Sequence, residues 1–256
     1  MKLGRVKSVI VFIIIFIMWS IITLSTDLVR PIFIPSPVDI LKSFIDMKEH
    51  ILLATLISLG ITLGGFIVGV IAGIALGLAI AYSKDFMEVV GPFLDFTRPV
   101  PVLALIPLFL LWFGIGLMPQ ILLVALGVSV ILGVSTYEAV RNMPLVYIRA
   151  AANLGADKKL IFRTVVIPYI FPHLIGAIRV GAAVSWGLDV ASEFMGAQIG
   201  LGYNMIVQQI YLNTSGIIAI VFIYSILAIG LDQIIRKVEG RLTHWTERSR
   251  ISFEKI

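Results

Sequence analysis

Long apolar runs separated by short polar stretches fill most of the chain, and six of them predict membrane-spanning helices. They cover residues 9–25, a stretch within 51–82, 99–117, 120–137, 174–194 and 216–231. A hydrocarbon core of about 30 Å needs roughly 20 such residues as helix. The second run is longer than that and must tilt, bend or protrude. No small-x-small cleavage site follows the first run, which ends in Ile21, Ile22, Thr23 and Leu24. It is therefore expected to stay as an anchor rather than be removed as a signal peptide.

The polar stretches set the orientation. Sixteen of the twenty Lys and Arg residues fall at the N-terminus, after the second and fourth runs, and in the C-terminal tail. Only Arg30, Lys42 and Lys48 fall on the other side, and Arg179 lies inside the fifth run. The positive-inside rule then predicts that both termini are cytoplasmic. The outer stretches are 30–50 and 195–215. In the first, Ser36 followed by Pro37 suits the start of a short helix around Asp39–Met47. The second is read as a polar, largely uncharged loop.

Composition agrees with this reading. Hydrophobic residues make up 59% and charged residues 14% of 256 positions, with a mean hydropathy of +1.04. Soluble domains are nearer about 45–50% and 25%. The absence of cysteine excludes a disulfide scaffold, thiolate metal centres and a cysteine nucleophile. His50, His173 and His244 are scattered, with no His-Glu-x-x-His or Gly-x-Ser-x-Gly pattern, so a membrane enzyme is disfavoured. No Gly-Lys dipeptide occurs, hence no phosphate-cradling P-loop of the usual form.

Several positions inside the runs carry candidate chemistry. Gly65, Gly69, Gly73 and Gly77 recur every four residues, with Gly60 and Gly64 upstream. They predict a smooth helix face for close packing, or a sliding surface between two conformations. Pro99, Pro101 and Pro107 predict a broken third span lining a cavity. Asp95 and Arg98, three apart, could pair just before it. In the fifth span Asp189 and Glu193 share one face, with Arg179 ten residues before Asp189. Intramembrane charges suggest either structural pairing or a pathway and gate. Arg98, Pro101, Arg179, Asp189 and Glu193 are therefore the candidate pathway residues.

The polar stretch 138–172 is too long for a plain connection. Residues 145–154 predict a short helix stopped by Gly155. Asp157 then suits the N-cap of a second helix over 158–166, which Pro168 is expected to end. Leu145, Ile148 and Ala152 share a face, with Arg149 and Asn153 beside it. The small residues Ala150, Ala151, Ala152 and Gly155 favour docking into another protein over burial in lipid.

At these residues the chain resembles the inner-membrane permease subunits of binding-protein-dependent ABC importers. Their cytoplasmic loop reads Glu-Ala-Ala, three residues, Gly, nine residues, Ile-x-Leu-Pro. Here Arg149-Ala150-Ala151, Gly155 and Val165-Val166-Ile167-Pro168 keep the spacing throughout. Arg149 reverses the charge of the usual Glu, while Val165 and Ile167 depart mildly. The resemblance spans roughly Pro31 to Trp245. Phe33-Ile34-Pro35-Ser36-Pro37, Arg98-Pro99-Val100-Pro101, Ile106-Pro107-Leu108, Trp112-Phe113-Gly114-Ile115-Gly116 and Gly200-Leu201-Gly202-Tyr203 look like the nitrate/sulfonate/taurine branch.

The resemblance implies an all-α membrane protein with six transmembrane helices in the type I importer fold. It divides the chain into an anchor at 1–30, the transmembrane domain at 31–245 with an ATPase-docking loop at 138–172, and a tail at 246–256. Docking would fall to Arg149, Ala150, Ala151, Gly155, Ala156, Asp157, Val165, Ile167 and Pro168. It also implies a homodimeric pore, two ABC ATPase subunits and a periplasmic or lipid-anchored solute-binding protein, in the inner or plasma membrane. No cofactor or metal is expected in this chain, since ATP would be bound by the partner subunit, and no nucleic acid is involved. The cargo implied is a small anion such as a sulfonate, taurine or nitrate, with bicarbonate or a pyrimidine vitamin precursor as alternatives. A secondary carrier using Asp189, Glu193 and Asp232 as ion-coupling sites is the competing function. Such carriers often pair broken helices in two repeats, and no second proline-broken run matches the third.

Overall fold

The computed structural model describes residues 2–25 and 30–242. The expected tail at 246–256 and positions 26–29 of the N-terminal segment lie outside the described residues. Among the described residues all regular structure is helical. In order come α1 (Lys2–Ser25), α2 (Pro37–Asp46), α3 (Lys48–Tyr82), α4 (Lys84–Thr97), a 3-10 turn (Val102–Leu105) and α5 (Ile106–Phe113). They are followed by α6 (Leu117–Arg141), α7 (Leu145–Asn153), α8 (Lys158–Ile161), a π turn (Phe162–Val166), α9 (Ile167–Gly196), α10 (Leu201–Ile210) and α11 (Thr214–Leu242).

Four of these helical stretches are long and apolar enough to cross a membrane: α3, α6, the continuous stretch Lys158–Gly196, and α11. In α1 the apolar segment is Ile10–Leu24. The third expected span is broken, as its prolines predict. It is no single crossing helix, because α4 and the Val102–Phe113 segment meet at a bend of 92°. Pro99 and Pro101 cause the break, since neither can donate a backbone hydrogen bond and each restricts the residue before it. Beyond α5, Gly114 (φ 76°) and Gly116 (φ 153°) turn the chain into α6, a path that side chains with a Cβ rarely adopt. Arg98 does not take Asp95 as its ion-pair partner. It reaches Glu138 at 3.0 Å and ties the end of α4 to α6.

The core forms where α3 lies along α6. A Cβ on Gly65, Gly69, Gly73 or Gly77 would come within 2.5–2.6 Å of atoms of α6, namely Val124, Val128, Ser129 and Gly133 or Thr136 respectively. The glycine stripe is thus where the two backbones approach. Upstream the approach loosens: a Cβ on Gly64 would meet Ile121 of α6 at an ordinary 3.8 Å, and nothing lies within 4 Å of a Cβ on Gly60. α9 closes the layer, placing Ala182 and Leu188 among Ile61, Phe66, Val124, Val128 and Leu132. A second cluster joins α3, α9, α10 and α11 through Ala54, Trp186, Leu201, Ile220 and Tyr224.

Two further expectations are corrected. Pro168 does not end the helix that begins at Lys158. The chain widens into the π turn, Ile167 N–H bonds back to the Phe162 carbonyl, and the helix continues through α9. A proline ring clashes with the carbonyl four residues earlier, and one i→i+5 turn removes that conflict. The stretch 195–215, read as a loop, contains the helix α10. The short helix expected after Ser36 is α2, with a reciprocal capping box between Ser36 and Asp39.

Candidate functional site

At one end of the bundle, α7, its turn and α8 form a hook. Gly155 at φ 85° is the reason the turn is tight. Its N–H bonds to the Ala152 carbonyl at 2.9 Å, and Ala156 N–H bonds to Ala151 at 3.1 Å. This pairing is the Schellman ending of a helix, so Ala151, Gly155 and Ala156 shape the hook from their backbones. Asp157 then caps α8, accepting the Leu160 N–H at 2.7 Å. The tip is open: Arg149, Ala150 and Asp157 are exposed, and Leu154 is 89% exposed.

The root of the hook is packed. Ile148, Ile161, Phe162 and Val165 lie against the buried Met143, Val166, Ile170 and Leu174. Lys158 Nζ stands 4.4 Å above the Tyr82 ring at the end of α3. Tyr82 also meets Phe162 edge-on at 5.0 Å. Of the apolar face expected on α7, Ile148 turns to the bundle, whereas Leu145 and Ala152 are exposed. Ile167 and Pro168, also exposed, stand where the hook joins the long helix.

The candidate pathway residues do not converge. Arg98 and Pro101 sit exposed at the α4–α5 break. Arg179 Nε donates to Asp232 Oδ1 at 2.8 Å, and Asp232 Oδ2 accepts from Arg236 at 2.8 Å, which links α9 to α11. Asp189 and Glu193 come together deep in the bundle, 0% and 1% exposed. Tyr224 of α11 donates its hydroxyl to Asp189 Oδ2 at 3.1 Å.

Glu193 is the centre of a small network. Ser58 of α3 donates to Glu193 Oε1 at 2.7 Å. The Ser58 oxygen in turn accepts the Leu201 N–H at 2.8 Å. The Gly202 N–H donates to Glu193 Oε2. Two orphan amides at the start of α10 are thus satisfied by side chains from two other helices. Gly200 (φ 144°) and Gly202 are small for a specific reason. A Cβ on Gly200 would collide with the Glu193 carboxylate, and one on Gly202 would lie 2.9 Å from Glu193 Cβ. Ser58 and Tyr224 carried no signal in the sequence, because a hydroxyl in an apolar run is common and its partner is more than 30 positions away.

Beside this network, a cavity of about 310 Å³ opens between the α5–α6 turn and the α9–α10 connection, with Gln120 and Gln198 among its lining residues. Among the described residues no three His, Asp or Glu side chains converge as a metal site.

Comparison with known proteins follows this architecture. Residues 65–244 match the family model described as "Binding-protein-dependent transport system inner membrane component". The taurine transport system permease protein TauC of Escherichia coli (strain K12) is 30% identical over 234 residues, covering 89% of this chain and 84% of that protein. The putative aliphatic sulfonates transport permease protein SsuC of Bacillus subtilis (strain 168) is 28% identical, covering 95% and 89%. A chain of the MetNI methionine ABC transporter, in an inward-facing conformation, superposes with a TM-score of 0.67 at 20% identity, covering 77% of this chain and 98% of that one. The last likeness establishes the fold, that of a type I importer membrane domain. The matched family model covers most of this apolar helical bundle, and the chain belongs to the inner-membrane components of binding-protein-dependent transport systems, as a multi-pass ABC importer permease and not an enzyme.

Proposed function

We propose that two copies of this chain form the pathway of an ATP-driven importer for a small sulfonate-like anion. A separate ATPase subunit grips each hook and hydrolyses ATP, and a periplasmic or lipid-anchored binding protein delivers the cargo. This chain binds no cofactor. The observation that carries the reading is the hook. Its tip is exposed, with Arg149, Leu154 and Asp157 flanking small residues and a left-handed glycine, and its root is packed into the bundle and fused to a membrane-crossing helix. A partner pulling on such a tip moves the helix with it. The names of the two relatives, for taurine and for aliphatic sulfonates, support the class of cargo.

Arg149 stands where the resemblance implies Glu, so the groove of the cognate ATPase presents acidic or neutral groups to it. The test is co-purification of the ATPase subunit with the chain. Gly155→Asp combines an unfavourable left-handed conformation with a new charge at the tip, and is expected to abolish association while the bundle stays folded. Undiminished co-purification would refute the docking assignment. For the cargo, thermal shift of the partner binding protein against taurine, alkanesulfonates, nitrate, bicarbonate and a pyrimidine precursor is expected to select a sulfonate. Selection of the pyrimidine would refute the sulfonate reading.

A further inference from the structure

We infer that Glu193 is a positioning residue that ties α10 to the hook, making α10 the element moved at the far end of the bundle when the hook is pulled. This rests on the docking role proposed for the hook.

The geometry is that of a rod with something fastened to each end. From Lys158 to Gly196 the chain is one helical stretch of 39 residues, about 58 Å long at about 1.5 Å per residue. Its first turn is α8, the second arm of the hook. Glu193 lies in its last turn and caps a different helix. α10 carries no side-chain cap of its own, since its N-cap residue is Gly200. Its first amides are held by Glu193 directly and through Ser58. A carboxylate accepting backbone N–H groups at a helix N-terminus makes charge-assisted bonds and meets the positive end of the helix dipole. Buried at 1% exposure, it cannot exchange these partners for water. Displacement of α9 along or about its axis therefore drags the start of α10, or else leaves buried donors unsatisfied. The far end of α10 is free to report the motion: Ile210, Tyr211 and Leu212 are 72%, 77% and 67% exposed.

Ser58 marks where α10 is held when the rod is at rest. It belongs to α3, and its hydroxyl is shared between the Glu193 carboxylate and the Leu201 amide. Glu193→Gln keeps the shape but removes the charge and replaces an acceptor with a donor. Ser58→Ala removes one bridge and leaves the carboxylate in place.

The chain has no cysteine, so Ile210→Cys gives a single reporter. It is introduced into the full chain, co-expressed with its ATPase subunit and reconstituted. Labelling by a membrane-impermeant maleimide is then timed without nucleotide and after trapping with ATP and vanadate. With Glu193 and Ser58 intact, the two rates are expected to differ by at least about fivefold, as when a two-state equilibrium is pushed most of the way across. In Glu193→Gln and in Ser58→Ala the difference is expected to fall below about twofold, with the ATPase still bound and hydrolysing. Nucleotide-dependent labelling undiminished in both variants overturns the inference. So does its absence in the Ile210→Cys chain with the ATPase docked. If both variants lose the ATPase, Glu193 serves the fold as a whole and the positioning role is overturned. Gly155→Asp runs alongside: retention of the ATPase by that variant counts against the hook and not against Glu193.

Discussion

Substituting single glycines along α3 tests how the bundle is held together, because two positions on one helix are expected to respond with opposite signs. At Gly73 a Cβ would sit 2.5 Å from the Ser129 carbonyl oxygen, 2.7 Å from Leu132 Cβ and 3.0 Å from Ser129 Cα. Ordinary contact between such atoms begins near 3.4 Å, so the helices must part by most of an ångström. The obstruction is backbone and Cβ, which no rotamer change can move aside. Because α3 is stiff, the gap extends to Gly69 and Gly77. A separation of 0.5–1 Å forfeits about a quarter to a half of each dispersion contact. Overpacking of this kind costs about 1–3 kcal/mol, so Gly73→Ala is expected to destabilise the bundle by about that much. At Gly60 a Cβ meets nothing within 4 Å, and Gly60→Ala recovers the helix preference for alanine, up to about 1 kcal/mol. Reversible unfolding in mixed micelles, titrated with a denaturing detergent, measures both. Equal effects of one sign at the two positions would refute the packing account. A sliding role for the stripe would show separately, as Gly73→Ala blocking nucleotide-dependent movement without loss of stability.

The remaining predictions concern the hook, the break and the α10 cap. Asp157→Ala removes the N-cap of α8 and should cost about 1 kcal/mol locally; weaker ATPase co-purification from an otherwise stable chain checks it. A double-mutant cycle on Arg98 and Glu138 should give a coupling of about 0.2–1 kcal/mol, the range for exposed pairs, since their side chains are 56% and 45% exposed. A larger coupling would mean that the bend is pinned by this pair and not by its prolines. Gly202→Ala should destabilise by about 1–3 kcal/mol, because its Cβ must displace Glu193. Pairing it with Glu193→Gly, which removes both the Cβ at 2.9 Å and the carboxylate oxygen at 3.0 Å, should give less than the sum of the two costs. Strict additivity would show that Gly202 and Glu193 act separately.

Much of the fold is legible in residue order because lipid permits few choices. A run such as 120–137 with no charge has to be helix, since every backbone polar group must be satisfied within the segment. The breaks at Pro99 and Pro101 follow from proline's missing N–H. The hook is equally local: Gly155 supplies a left-handed turn and Asp157 a cap, each acting within four residues. Pro168 misleads for an instructive reason. It would stop an α-helix in water, yet one widened turn and the packing of Val166 and Ile170 keep the rod continuous.

Chemical type and spacing along the chain thus determined which segments are long apolar helices, where the third one breaks and how the hook is shaped, all being short-range demands of the backbone. Tertiary structure alone decided how Arg98, Arg179, Glu193 and Asp232 are used. A charge in an apolar run announces that a partner is needed without saying which, and Ser58, Glu193 and the amides of α10 meet only after α3, α9 and α10 have packed. The helical state of Leu201–Ile210 belongs to the same class: its cap is a carboxylate from another helix, so no nearby residue could signal it.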